Sequence, residues 1–471
     1  MSARRSPSRA AALFVVVGTI VAALVLAATV PEPVPDGAPA VGPRLARRGE
    51  ISSWFCAEGT STPDARADER VYVTNLGRAV AHAALTVFSG ADQTPVTSTF
   101  EVPGRSVHEV HLADVAAVAE PGVLVEVRGG RSVVTHGING NDDVAIGPCA
   151  REPAERWQFA GATTVRGATL WLALLNAYPD DAIVDIRFVT DKGPVEPEAL
   201  QGFVVPRRSR LTVPVHEHAR RDNLVATDVV VRRGRVVAEQ SLVLDGSDGR
   251  RGLALTLGTA RAARRWTVAT GAQAEGRTQA LAVANPGKVP ALVRVVPELD
   301  GDAEVAPIEL LVPVRSVVPV DLAVIPPDVG FSLAISAEEP VVVETTAAVT
   351  APQPAAARGI ATALGSTAAE RFWVVSPARA SDRSQDAVTV LNSGTRRVSF
   401  TARVLHDGAF SVMGTKARIT LAPGRRAVLD LTAAEVPTGA ALVVTGSGPV
   451  VVERFSEGVP GVTLAVAVPG S

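Results

Sequence analysis

Short runs of Val, Ile, Leu and Ala, often alternating with single polar residues, fill most of the chain, and Gly, Pro or charged residues interrupt them every few positions. The stretch 153–262 shows the pattern well. Its runs are Trp157–Ala160, Leu170–Leu175, Ile183–Val189, Phe203–Val205, Leu211–His216, Ala226–Arg232, Val236–Leu244 and Leu253–Leu257. Runs this short with a two-residue period predict β-strands, and the breaks predict turns. A helical period appears nowhere over a useful length. Ala113–Ala119 and Thr432–Glu435 would make single turns at most.

The pattern occurs four times. Trp54, Trp157, Trp266 and Trp373 lie 103, 109 and 107 residues apart. About 20 residues after each comes a strand-ending asparagine: Asn75, Asn176, Asn285 and Asn392. A Pro-x-Arg follows, with Arg105, Arg208, Arg315 and Arg425. Then comes a valine run closed by a polar residue, aligned as His136, Glu239, Glu344 and Glu453. A period of about 105 residues is one small domain per copy. The predicted units are 51–152, 153–262, 263–369 and 370–471. Seven or eight strands in that length predict an antiparallel, Ig-like β-sandwich, hence four tandem sandwiches. The alternative is a β-propeller in which each copy supplies two four-stranded blades.

The landmarks then have structural tasks. Each Trp plugs a core as the largest apolar side chain available. Each Asn caps a turn through its own backbone. A glutamate inside a valine strand needs a partner once buried. The Arg of the same copy is the candidate, giving expected ion pairs Arg208–Glu239, Arg315–Glu344 and Arg425–Glu453, with a weaker counterpart at His136.

Residues Ala10–Val30 carry no charge. At about 1.5 Å per residue they span roughly 30 Å, a bilayer core. Arg4, Arg5 and Arg9 precede the run, which places a cytoplasmic tail at 1–9 and the rest outside. A cleaved signal followed by secretion is the alternative. Residues 31–50, rich in Pro, Gly and Ala, read as a linker. In an exported chain the two cysteines, Cys56 and Cys149, are expected to form a disulfide.

The net charge of −2 indicates no nucleic-acid partner. Aromatics make up 4%, few for a glycan-binding face. No nucleophile elbow, Walker loop, dinucleotide loop, HExxH or CxxC occurs. His108/His111 and His216/His218 have spacing near that of metal ligands. On a strand His216 and His218 would share a face, but no third ligand follows. Asn139–Asp143, Asp245–Gly249 and Asp300–Asp302 have the composition of calcium loops without the required spacing, and read as turns. No cofactor or metal is expected.

Several separated motifs resemble the repeat of the domain of unknown function 5719 family. They are Trp54-Phe-Cys-Ala-Glu-Gly-Thr60, the later Asn, the Val-Pro-x-Arg-Ser segments Val205–Ser209 and Val312–Ser316, Val236-Val-Ala-Glu-Gln240, and Val451-Val-Glu-Arg454. The resemblance spans about 51–469, and only the first copy keeps an intact Ala-Glu-Gly-Thr. It implies a secreted or membrane-anchored all-β bacterial surface protein, and supplies no catalytic residues.

The expected function is a non-enzymatic, membrane-anchored cell-envelope scaffold that binds wall glycan or an envelope protein. A polysaccharide-binding or assembly accessory is an alternative, with Trp171 as its only aromatic hint outside the repeat register. An unrecognised extracellular hydrolase is another. It predicts a cluster of acids in one copy that its siblings lack, and the first copy is the place to look.

Overall fold

A computed structural model describes residues 43–46, 51–61, 67–140, 143–350, 358–377, 382–413, 418–459 and 461–470. The predicted span Ala10–Val30 and most of the linker lie outside the described residues. Among the described residues no helix is long and apolar enough to cross a membrane.

Each repeat is a pair of packed antiparallel sheets. In the first, Ile51–Cys56, Gly122–Arg128, Ala81–Phe88 and Val96–Val102 make one sheet in that spatial order. Ser106–His111, Ala67–Asn75, Ser132–Gly140 and Val144–Pro148 make the other. Alternation drives the pairing: in Ala81–Phe88 the residues Ala81, Ala83, Leu85 and Val87 point inward, while His82 is exposed. The inward residues of both sheets pack around Trp54.

The predicted strands of the second repeat match observed ones, Val236 alone lying one residue before its strand Val237–Asp245, with one correction. Leu211–His216 ends at Pro214, and Val215–His218 makes a single helical turn. His216 and His218 therefore do not share a strand face. In the third and fourth repeats single long strands, Gly330–Thr350 and Ala441–Val459, run from one sheet into the other.

The repeats do not stand apart. The last inner-sheet strands, Val144–Pro148, Arg251–Leu257, Arg358–Leu364 and Val462–Val466, touch in sequence, and the fourth returns to the first. Sandwich and propeller descriptions therefore meet: paired sheets are arranged in a propeller-like ring. Backbones approach closely at its centre. A Cβ on Gly252 would lie 2.5 Å from the Ile360 nitrogen of the next repeat. Cores also merge at the seams, since Phe55 and Phe88 of the first repeat pack in the cluster around Trp157.

Candidate functional site at the repeat seams

All four opening tryptophans are buried, at 0–3% exposure. The indole N–H groups of Trp157, Trp266 and Trp373 donate to the carbonyls of Val236, Val341 and Val450. Trp54 donates instead to Ser52 Oγ, which bonds Ser132 Oγ. The four asparagines repeat one geometry. Each Nδ2 donates to the carbonyl four residues on, and to that of Val102, Val205, Val312 or Leu421. Each Oδ1 accepts the N–H two residues on. The side chain thus replaces missing backbone partners at a strand end.

The expected Arg–Glu pairs within each copy are not what the structure forms. The three glutamates, Arg315 and Arg425 act across seams, reaching from one repeat into the preceding one. Arg315 pairs with Glu196 of the second repeat. Arg425 donates to Leu299 and Gly301 carbonyls of the third. Arg105 lies over the Phe410 ring of the fourth. Arg208 and Arg315 hold positive φ in tight turns, which points them away from their own strands. Arg208 donates its backbone N–H to the Tyr178 carbonyl within its own repeat.

The glutamates seal the seams. Glu239 Oε2 accepts the N–H groups of Ala57 and Glu58 at 2.8 and 2.7 Å. Glu344 Oε2 accepts those of Ala160 and Gly161, both at 2.8 Å. Glu453 Oε2 accepts that of Thr270 at 2.7 Å. The donors sit three and four residues after each tryptophan: Ala57 and Glu58 follow the end of their strand, and the others lie at register shifts within theirs, where the backbone lacks a ladder partner. Burial raises the pKa of Glu344 and that of Glu453, the latter to about 7, against the lowering by these amides.

His136 is not the fourth member of this set. Opposite the third residue before each asparagine stand Thr135, Glu239, Glu344 and Glu453. The alignment of valine runs was one residue out in the first repeat, and one residue on a strand is the opposite face. Thr135 Oγ1 is buried without a hydrogen-bond partner among the described residues. Facing that seam, the fourth residue after Trp373 is Pro377, which has no N–H. Acceptor and donor are lost together.

His136 belongs to a second row, with Gln240, Thr345 and Arg454. In three repeats this position bonds a polar residue of the neighbouring strand. Thr345 bonds Gln279 at 2.8 Å, Arg454 bonds Asp386 at 2.6 and 2.8 Å, and His136 Nδ1 bonds Glu69 at 2.9 Å. The second repeat has Leu170 there, and Gln240 bonds Thr227.

Among the described residues the first seam collects the most further charge. His136 Nε2 lies 3.4 Å from Glu239, an ion contact rather than a well-made hydrogen bond. Arg210 donates to Glu58 at 3.1 Å and to the Ala57 carbonyl, and pairs with Glu120 at 2.9 Å. Arg426, in the same register of the fourth repeat, clasps the third through Asp300 and the Ala269 carbonyl. Glu69, His136 and Glu239 are 0% exposed, and Arg210 2%. Burial raises Glu58 despite Arg210, and raises Glu69 to about 7 despite His136. Burial alone would lower His136, but Glu239 and Glu69 hold it up at about 10. Ala57, Glu58 and Gly59 come from the intact Ala-Glu-Gly-Thr segment. A Cβ on Gly59 would collide with Glu69 Oε2.

The remaining candidates have local roles. Cys56 and Cys149 form the expected disulfide, closing a separation of 93 residues. The bond fixes the strand that presents Ala57 and Glu58. His111 bonds Asp68 at 2.6 Å, and His108 stacks on Phe100. His216 Nδ1 donates to the Leu170 carbonyl, and its ring meets Trp171 edge-on. No group of three metal-ligating side chains is arranged to hold an ion among the described residues. Asp245 caps its own turn through Ser247, and Asp300 pairs with Arg426. Asn141 and Asp142 lie outside the described residues.

No curated protein matches the chain. Among solved structures, Thermotoga maritima 1070 is 18% identical over 22% of this chain and 94% of its own, with a TM-score of 0.21. A Streptomyces avermitilis alpha-L-rhamnosidase complexed with L-rhamnose is 10% identical over 73% of this chain and 45% of its own, at 0.16. A tetra-tandem repeat from the extending region of a large adhesion protein is 13% identical over 89% and 99%, at 0.10. Scores this low carry no argument. The model of a family of unknown function, DUF5719, matches residues 144–356, in agreement with the family that the tryptophan, asparagine and Val-Pro-x-Arg motifs resemble.

Proposed function

We propose that this chain is a non-enzymatic scaffold of the cell envelope, held at the membrane by residues 10–30 and presenting the ring outside. The observation that supports it best is where the repeated polar residues go. The repeated Trp and Asn, the arginines Arg315 and Arg425, and the glutamates of the last three repeats serve turns, cores and seams. The cluster of Glu69, His136 and Glu239 at the first seam, where a hydrolase would be sought, is closed to solvent, and the partly exposed Asp68, Glu109 and His111 are engaged in ion pairs with Arg70 or with one another. A substrate cannot reach groups with no accessible surface. The outer surfaces are then left for wall glycan or a protein partner. The polysaccharide alternative draws no comparable support, because Trp171 is partly buried against His216.

The test is made in cells carrying the full chain. Membrane fractionation, protease treatment of intact cells and sedimentation with purified wall polymer are measured together. A membrane-bound, externally digested chain that co-sediments with wall fits the proposal. A chain in the soluble cytosolic fraction and shielded from protease would overturn it.

A further inference from the structure

The seam between the first two repeats gathers more buried carboxyl groups than the other seams among the described residues. Glu58 follows the strand Ile51–Cys56, Glu69 lies on Ala67–Asn75, and His136 on Ser132–Gly140. The second repeat adds Glu239 and Arg210, and Glu120 reaches Arg210 from the half-exposed rim. Three buried carboxyl groups therefore face two buried bases. One oxygen each of Glu58, Glu69 and Glu239, together with Thr60 Oγ1, is buried without a hydrogen-bond partner among the described residues. No three of these groups are placed to share a metal ion.

Buried carboxylates without partners are strongly disfavoured, and neighbouring ones cannot all ionise. The cheapest relief is a proton, which the closed seam holds and hydrated, separated acids would release. We propose that this seam is a proton-operated joint, gripping tightly in mildly acidic surroundings and loosening as the pH rises. The moving contact is the hold of Glu239 on the Ala57 and Glu58 amides.

The signs agree. Glu69, ordinarily near 4.5, titrates at about 7 in the closed seam, so its contribution falls as pH climbs between those values. His136, ordinarily near 6.5, holds its proton to about 10, so its contribution is complete below 6.5 and lost as pH passes 10. Both make alkaline conditions the loosening direction. The Cys56–Cys149 bond keeps the loosened strand end tethered to its own repeat.

Hydrogen–deuterium exchange on the full, oxidised chain tests this between about pH 5.5 and 8.5, after correction for intrinsic exchange. The peptide spanning Ala57 and Glu58 is compared with the one spanning Ser376, at the seam where Thr135 and Pro377 replace the glutamate and its donor. Each proton released on opening makes opening up to about tenfold more favourable per pH unit. The first peptide should show that rise and the second should not. In Glu69→Gln, whose amide has no proton to release, the rise should shrink. Parallel behaviour of the two wild-type peptides would overturn the proposal, as would an unchanged slope in a folded E69Q. The wild-type comparison decides even where the variant does not fold.

Discussion

Glu344 offers the cleanest measure of what a seam glutamate contributes, because its seam has neither a histidine nor an arginine in the corresponding positions. Gln240 and Val317 stand there instead. The carboxylate accepts two backbone N–H groups at 2.8 Å and the Thr256 hydroxyl at 3.3 Å, and is 2% exposed. Glu344→Ala leaves both amides buried and unpaired, at about 1–3 kcal/mol each. Removing a desolvated carboxyl, whose raised pKa records its discomfort, offsets part of that. A net loss of about 2–4 kcal/mol remains. Glu344→Gln keeps an acceptor oxygen and the volume that fills the space beside Gly161, and should lose about 1 kcal/mol or less. Urea unfolding at neutral pH, followed by tryptophan fluorescence and far-UV circular dichroism, reports both values. Loss below about 0.5 kcal/mol in E344A, or equal losses in the two variants, would refute the assignment of Glu344 as the acceptor that holds this seam.

Other consequences can be measured on the same footing. Glu453, with a folded pKa of about 7 against an ordinary 4.5, binds a proton in the native state that the unfolded chain has already released. Its contribution therefore falls as pH rises from about 5 to 8, and Glu453→Gln should flatten the stability–pH curve over that window; an unaltered curve would count against it. Removing both cysteines should destabilise by up to about 4 kcal/mol in the loop-entropy view, read as a lower urea midpoint, whereas an unchanged midpoint would show the bond to be thermodynamically idle. Asn285→Ala removes two donated bonds and one accepted bond at a buried turn, with a predicted loss of about 2–3 kcal/mol. Arg315→Ala breaks only a half-exposed pair with Glu196 and should change the midpoint by less than about 1 kcal/mol.

How much of this was legible in the sequence depends on the range of each interaction. Strand runs follow local alternation, so Phe203–Val205 was placed to the residue. The asparagine turns were legible for the same reason, since the side chain bonds backbone two and four residues on. The glutamates were recognised as needing partners, but the partners lie more than 180 residues away and in another repeat. Assigning each Glu to the Arg of its own copy assumed that a repeat satisfies itself. In a closed ring a repeat satisfies its predecessor. The buried cluster in the first repeat left a trace in the sequence, because the Ala-Glu-Gly-Thr segment and His136 both depart from the sibling pattern. Their convergence needed the fold.

The seam where the fourth repeat meets the first shows why a period cannot describe closure. A tandem array has three internal junctions, and each carries a glutamate from the later repeat: Glu239, Glu344 and Glu453. The ring adds a fourth junction that no pair of adjacent copies contains. There, Thr135 stands in the glutamate register and Pro377 in the donor register. A glutamate facing Pro377 would have lost one of its two amide partners while keeping the full desolvation penalty, and an amide facing Thr135 would lack its carboxylate. Either change alone is unfavourable, and together they remove the problem. The closure relies on other means: Leu45 donates to the Pro469 carbonyl, Arg131 lies 4.9 Å over Phe372, and Val374 and Val468 enter the core around Trp54. These are mainly apolar and backbone contacts, beside the buried pair of Arg454 and Asp386, whose arginine also donates to the Ser376 carbonyl. The ring is thus joined by three seams with a buried glutamate in the amide-accepting register and one without.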